Sequence, residues 1–227
     1  AFRRDRILAL DLRTTGMEYA TEMIVKGELH GLRISEVPAT LAPDMRDRAP
    51  HLRTWRDGWR HLRFMLLYTP RWLFLYPGAL LMLAGALVAL WLLPGAQQVG
   101  GVSFDVHTLM YASIAIVVGY QAVVFALFTK TFAITEGLLP ADPRLDRLYR
   151  YVTLETGLVV GSAILSVGVI GSLYAVGVWQ AQAFGPLAAA QTERTLRIVI
   201  VSGSAIALGL ETILASFFLS VLGLRRR

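Results

Sequence analysis

Four long apolar runs dominate the chain: Trp72–Leu93, Thr108–Thr129, Thr156–Trp179 and Arg197–Leu224. As a helix rising about 1.5 Å per residue, each is long enough to cross a hydrocarbon core of roughly 30 Å. The loops between them are short, so successive spans are expected to pack as antiparallel hairpins. Trp72, Tyr76 and Trp91 flank the first run in the manner of interfacial anchors. Gly157, Gly161, Gly168, Gly171 and Gly177 punctuate the third, a pattern of close helix packing rather than of a transport pathway.

Before the spans the pattern changes. In His51–Tyr68, HLRTWRDGWRHLRFMLLY, helical spacing puts Leu52, Trp55, Trp59, Leu62 and Leu66 on one face. Arg53, Arg56, Arg60 and Arg63 run beside it. A Trp-bearing apolar face flanked by Arg is the composition of a helix lying in a membrane–water interface. Upstream, Arg4–Leu10 reads as a short helix. Gly16–His30 reads as a second, with Met17, Ala20, Ile24 and Leu29 at helical spacing and Gly31 as its stop. Leu32–Val37 alternates with period two, which predicts a strand, and Pro38 limits its continuation. Residues 1–50 thus read as a piece of an α/β domain, 51–70 as an interfacial helix with its Thr69-Pro70 stop, and 71–227 as a membrane domain of four helices. The polar, Pro-bounded link 41–50 separates the first two. A segment as short as 1–50 cannot bury a core of its own, so it is expected to pack either on something outside the sequence, the more economical reading, or on the membrane helices. The first residues, AFRRD, lack a Met and read as mid-domain, so an N-terminal part is expected upstream.

Composition narrows the class. The chain is 55% hydrophobic, and that apolar content lies in blocks, which excludes an ordinary soluble domain and makes this a mainly α, polytopic membrane protein. There is no Cys, which excludes disulfides and thiolate metal sites. The net charge is +6, and thirteen of the 22 Lys and Arg lie at or before Arg71. Placed against membrane spans, that charge suits anionic lipid rather than nucleic acid. The first inter-span loop, Pro94–His107, has no Lys or Arg. The second has Lys130, Arg144, Arg147 and Arg150, the third has Arg194 with Arg197 at its end, and the tail ends Arg225-Arg226-Arg227. The positive-inside rule then places both termini and the second loop in the cytoplasm, in a multi-pass protein of the inner (cytoplasmic) membrane.

Few residues offer chemistry. No His, Cys and carboxylate cluster has metal-ligand spacing, no Gly-rich phosphate loop follows a strand, and no Asp-x-Asp pair occurs. The Arg stripe with its Trp neighbours (Arg53, Trp55, Arg56, Trp59, Arg60, Arg63) reads either as attraction to the membrane surface or as recognition of a lipid-linked phosphate. Arg46 and Arg48 lie just before that helix, and guanidinium matches phosphate as a planar fork, although exposed linker Arg is common. Glu22 is a weak candidate for a catalytic carboxylate, against the plainer reading of a solvated helix face. Glu211 falls inside the fourth run, where a carboxylate invites either a functional role or pairing with a neighbouring span.

Gly16-Met17-Glu18-Tyr19, Glu22-Met23, Gly31-Leu32 and Glu36-Val37-Pro38 resemble a pattern of the family 2 glycosyltransferases that act on polyprenyl phosphate, the dolichol-phosphate mannose synthase-like and undecaprenyl-phosphate sugar transferase-like enzymes. The opening Phe2-Arg3 resembles the segment before that helix. The detailed likeness covers Ala1–Arg71. It implies a parent enzyme with a cytosolic GT-A domain, of which 1–50 is the C-terminal remnant. That domain would bind a nucleotide-sugar through an Asp-x-Asp motif and a divalent metal, Mg or Mn. The sugar would pass to the phosphate of a membrane polyprenol, with Arg46 or Arg48 matching the basic position that helps hold it and Glu22 near the acceptor side. Because the Asp-x-Asp half is not in this sequence, the chain alone is expected to bind no metal and to be inactive. The alternative from another class is a non-enzymatic membrane protein, a lipid-linked sugar flippase or scaffold subunit, favoured by the four spans and Glu211. The two differ in what lies upstream of Ala1 and in whether Arg46 or Glu211 matters.

Overall fold

The computed structural model describes residues 2–16, 18–40, 53–136 and 139–223. The chain divides into two units, Ala1–Thr69 with Gly137–Pro140, and Pro70–Glu136 with Ala141–Arg227. Together they are mainly helical, with a single small sheet among the described residues.

The first unit holds α1 (Arg4–Ala9), α2 (Glu18–Leu29) and α3 (Thr54–Tyr68). The helix α2 ends as its sequence implies, with Gly31 at φ +67°, a left-handed conformation that a Cβ would strain. The strand expected over Leu32–Val37 does not form. Residues 33–40 are irregular, because an alternating pattern favours extended backbone but a strand needs a partner edge, and none lies among the described residues. The interfacial helix runs from Thr54, and His51, Leu52 and the link 41–50 lie outside the described residues. At its start the carboxylate of Asp57 accepts from Arg53 N at 2.9 Å, satisfying a donor left over at the helix entry.

The second unit contains α4 (Tyr76–Leu92), α5 (Val106–Thr135), α6 (Pro143–Tyr149), α7 (Leu154–Gln180) and α8 (Ala189–Gly223). Among the described residues, four helices are long and apolar enough to cross a membrane: Arg71–Leu92, Val106–Thr135, Leu154–Gln180 and Gln191–Gly223. A π-helical turn over Arg71–Leu75 leads into α4. Pro77, near the start of α4, has no N–H to give the preceding turn, and a widened turn accommodates that missing bond. Between α4 and α5, β1 (Gln97–Val99) and β2 (Val102–Phe104) form a hairpin with Val99 opposite Val102. Its two-residue turn is Gly100-Gly101, both at positive φ, the geometry a tight hairpin demands.

Two antiparallel pairs, α4 with α5 and α7 with α8, make the membrane domain, and α5 packs on α8 to join them. Glycine sets the spacing in both pairs. A Cβ on Gly168 would lie 2.7 Å from Ser202 O, and one on Gly85 would lie 2.6 Å from Ala112 O. Gly157, Gly161 and Gly171 face α8 as closely, so the packing reading holds for them. Gly177 departs from it, because its open side meets nothing within 4 Å. A second departure concerns Arg194 and Arg197. Both were expected in or at the end of a loop but lie within α8, whose polar first turns, AAQTER, are good helix formers and extend the helix beyond the apolar run.

Candidate functional site

In the first unit, the short segment before α2 is fastened by one buried ion pair. Glu22 and Lys26 are one helical turn apart, and Lys26 Nζ lies 2.8 Å from the Glu22 carboxylate. Glu22 is only 1% exposed. Its oxygens accept from Arg13 N at 3.1 Å, Thr14 N at 2.8 Å and Thr14 Oγ1 at 2.6 Å. Lys26 Nζ donates to Asp11 O at 2.7 Å. The pair therefore grips the segment at Asp11 from one side and at Arg13 and Thr14 from the other. Asp11 itself sits at φ 46°, a left-handed position that Asp tolerates better than most residues.

This environment decides what Glu22 can do. Burial alone pushes its carboxyl up, but the Lys26 ammonium and the Thr14 and Arg13 donors outweigh burial and hold it at about 2. A carboxylate so well satisfied is a weak proton acceptor at neutral pH. The solvated helix face expected from sequence is corrected by the same facts: Glu22 is buried because α2 turns it toward the 11–15 segment. Nearby, burial and the Glu22 charge both push the Tyr68 phenol up.

The helix α3 has two faces. Asp57 and Phe64 are buried and His61 and Tyr68 half-buried, all on one side. His61 Nδ1 lies 3.0 Å from Thr21 Oγ1, and Arg60 Nε lies 3.0 Å from Glu18 Oε1. Trp55, Trp59 and Leu62 project from the opposite side, with Trp55 92% exposed. Arg53, Arg56, Arg60 and Arg63 are all exposed between the two. The sequence read the Trp face; the inward face escaped it because Asp, His and Tyr do not register as apolar.

Between the 11–15 segment and α3 lies a recess of about 370 Å³. Arg13, Arg60 and Arg63 line it, with Thr14 and Thr15 on one wall and Trp59 and Phe64 on the other. Glu18 is the single carboxylate in the lining, and its Oε2 is buried with no hydrogen-bond partner among the described residues. Arg60 is paired with Glu18 at 3.0 Å and Arg13 with Asp11 at 2.6 Å, so Arg63, the remaining donors of the two paired guanidinium groups and the Thr15 hydroxyl form the environment for an oxyanion. Acid–base chemistry has no equivalent support here. Of the residues singled out from sequence, Arg60, Arg63 and Trp59 meet in this recess, whereas Arg53, Trp55 and Arg56 do not line it. Arg46 and Arg48 lie outside the described residues. Arg13 was missed, because only the grip of Glu22 on its backbone brings it here.

In the second unit, Glu211 lies within α8, half-buried, with no hydrogen bond or ion pair among the described residues. Its neighbour Thr212 is 2.8 Å from the Tyr120 hydroxyl of α5. At one end of this unit Asp142 receives Lys130 and Arg71; the Lys130 hydrogen bond above all holds its carboxyl below the usual range. At the other end Arg197, 8% exposed, pairs with Asp105 and donates to Leu92 O at 2.6 Å. Among the described residues no group of three His, Asp or Glu could hold a metal ion.

Residues 127–223 match the model of the glycosyltransferase family 2 C-terminal transmembrane region. Across 98% of its length the chain is 34% identical to the low-salt glycan biosynthesis hexosyltransferase Agl6 of Haloferax volcanii. The alignment takes in 51% of that protein, so the chain spans about half the length of the curated relative it matches. No solved structure matches the chain.

Proposed function

We propose, from the premise that this chain carries the C-terminal membrane region of a family 2 glycosyltransferase, that it forms the acceptor side of an enzyme moving a sugar from a nucleotide-sugar to the phosphate of a membrane polyprenol. The hexosyltransferase name of the Haloferax volcanii relative makes a hexose the sugar class to test first. The observation that carries the reading is the basic recess beside α3, where Arg13, Arg60 and Arg63 converge next to the Trp-bearing face. A polyprenyl phosphate joins an oxyanion to a hydrocarbon chain. Such a recess suits the first, and exposed Trp55, Trp59 and Leu62 suit the boundary at which the second enters the bilayer.

The acceptor phosphate is already anionic and nucleophilic at neutral pH, so the work lies in positioning and in balancing charge rather than in removing a proton. Arg13, Arg60 and Arg63 would orient the phosphate, with Arg46 and Arg48 as further candidates from the link. Glu22 and Lys26 act as positioning residues, because they set where the Arg13 backbone lies. Binding of the nucleotide-sugar and its divalent metal is assigned to residues outside this chain, and both termini are assigned to the cytoplasmic side of the inner membrane.

The test uses the full-length protein with a panel of UDP- and GDP-sugars and polyprenyl phosphate, followed by mass measurement of the lipid product. Arg63→Ala and Arg13→Ala are each expected to raise the acceptor KM by roughly ten- to a hundredfold, the worth of a charge-assisted hydrogen bond, while the donor KM stays unchanged. An unchanged acceptor KM in both variants refutes the assignment of the recess.

A further inference from the structure

Most glycines in the membrane helices are filled by a neighbour's backbone or side chain, but Gly203 of α8 meets nothing within 4 Å. It opens instead on a groove of about 330 Å³ between α5 and α8. Ser113, Val117 and Val118 form one wall, and Gly203, Ser204 and Ala207 the other. One turn beyond Ala207 on the same stripe comes Glu211. One turn beyond Val117 on α5 comes Gln121, which is exposed. The Tyr120–Thr212 hydrogen bond places Gln121 and Glu211 at neighbouring depths in the bilayer. Both walls of the groove therefore end, at one level, on a side chain that needs a hydrogen-bond partner.

Hydrocarbon does not provide that partner. A carboxyl group inside a span faces either protein or water, and Glu211 has neither a hydrogen bond nor an ion pair among the described residues. A lipid tail would fill the groove and still leave Glu211 unsatisfied. A second copy of this chain would do both. Two copies share one orientation in the membrane, so a twofold axis relating them runs along the membrane normal and each residue meets its surroundings at its own depth. Glu211 of one copy then faces the counterpart Gln121 or Glu211, either of which offers hydrogen bonds, the amide directly and the carboxyl through a shared proton. The small residues Gly203 and Ala207 admit exposed apolar side chains at the same depth on the facing copy, such as Ile114 and Val118.

We propose that the α5–α8 face, with Gly203, Ala207, Gln121 and Glu211 along it, is the seam of a homodimer in the membrane. The inference is independent of the transfer reaction and stands or falls without it.

The chain contains no Cys, which makes the test direct. In membranes holding the full-length protein, with the introduced Cys as its only one, Ala207→Cys is expected to give a disulfide-linked dimer on oxidation. Leu87→Cys, on the 69% exposed lipid face of α4, is expected to give none. Adding Glu211→Leu should lower the Ala207→Cys cross-link about tenfold, the worth of an interhelical hydrogen bond, whereas Glu211→Gln should retain it. Absence of the cross-link, equal cross-linking at Leu87→Cys, or indifference to Glu211→Leu overturns the proposal. So does a monomer in native mass spectrometry with a lipid retained in the groove.

Discussion

At the scale of single residues, the chemistry of the first unit turns on Glu22 and Lys26. Their spacing is legible in the sequence as an i, i+4 pair of the favourable order. What the pair holds is not legible, because its partners, the Thr14 hydroxyl apart, are the backbone groups of Asp11, Arg13 and Thr14, which any sequence offers. Removing one member leaves the other charge buried and unpaired, which typically costs about 3–5 kcal/mol. Lys26→Met is therefore expected to release the 11–15 segment and to expose its amides to hydrogen exchange in the full-length protein. The pH dependence has a definite sign. The folded carboxyl titrates at about 2, below its ordinary value of 4.5, so the stability it contributes is fully present above about 4.5 and is lost as pH falls through about 2. Protection of the Arg13 and Thr14 amides should accordingly be flat from neutral pH down to that window, after correction for intrinsic exchange. Loss of protection between pH 7 and 6 would show that another group governs the segment.

At the scale of elements, some patterns carried their structure and others did not, for reasons the residues show. The four apolar runs became four helices because a stretch of that length and polarity has no other way to satisfy its backbone in lipid. Gly31 stopped α2 because a left-handed residue ends a helix wherever it stands. The alternation in Leu32–Val37 carried less, since strand formation depends on an edge elsewhere. For α3 the pattern gave the outward face, and the packing added the inward one: Phe64 is 7% exposed while Trp55 is 92% exposed. The two faces predict opposite behaviour. Trp55→Ser with Trp59→Ser should weaken quenching of the protein's fluorescence by lipids brominated near the headgroup and leave thermal stability within about 0.5 kcal/mol, because both side chains leave the protein's own core untouched. Phe64→Ala should lower stability by about 3 kcal/mol and leave the quenching of Trp55 and Trp59 in place. If the Trp pair proves stabilising and indifferent to lipid, α3 does not lie at the interface.

At the scale of the whole molecule, the membrane domain has chemically distinct ends, and both are held by charge. Arg71, Lys130, Arg144, Arg147 and Arg150 gather at or near the end that carries Asp142 and α6. The end with the β1–β2 hairpin has Arg197, withdrawn into a pair with Asp105 and a bond to Leu92 O that ties α8 to the end of α4. The asymmetry was legible as loop composition, but the withdrawal of Arg197 was not, since Asp105 lies 92 residues away in sequence. Orientation is decided by Lys and Arg in short loops, so the end around Asp142 is expected on the cytoplasmic side and the hairpin outside. With no native Cys in this chain, each end can be addressed singly. In intact cells, with any other Cys of the full-length protein replaced, Ser103→Cys on the exposed hairpin should react with a membrane-impermeant maleimide. Arg147→Cys should react only after the membrane is opened. The reverse pattern would put the segment that leads into Arg71, α3 with it, on the wrong side of the bilayer for a cytosolic nucleotide-sugar, because Arg71 belongs to the Asp142 end. It would remove the transfer reading while leaving the homodimer seam intact.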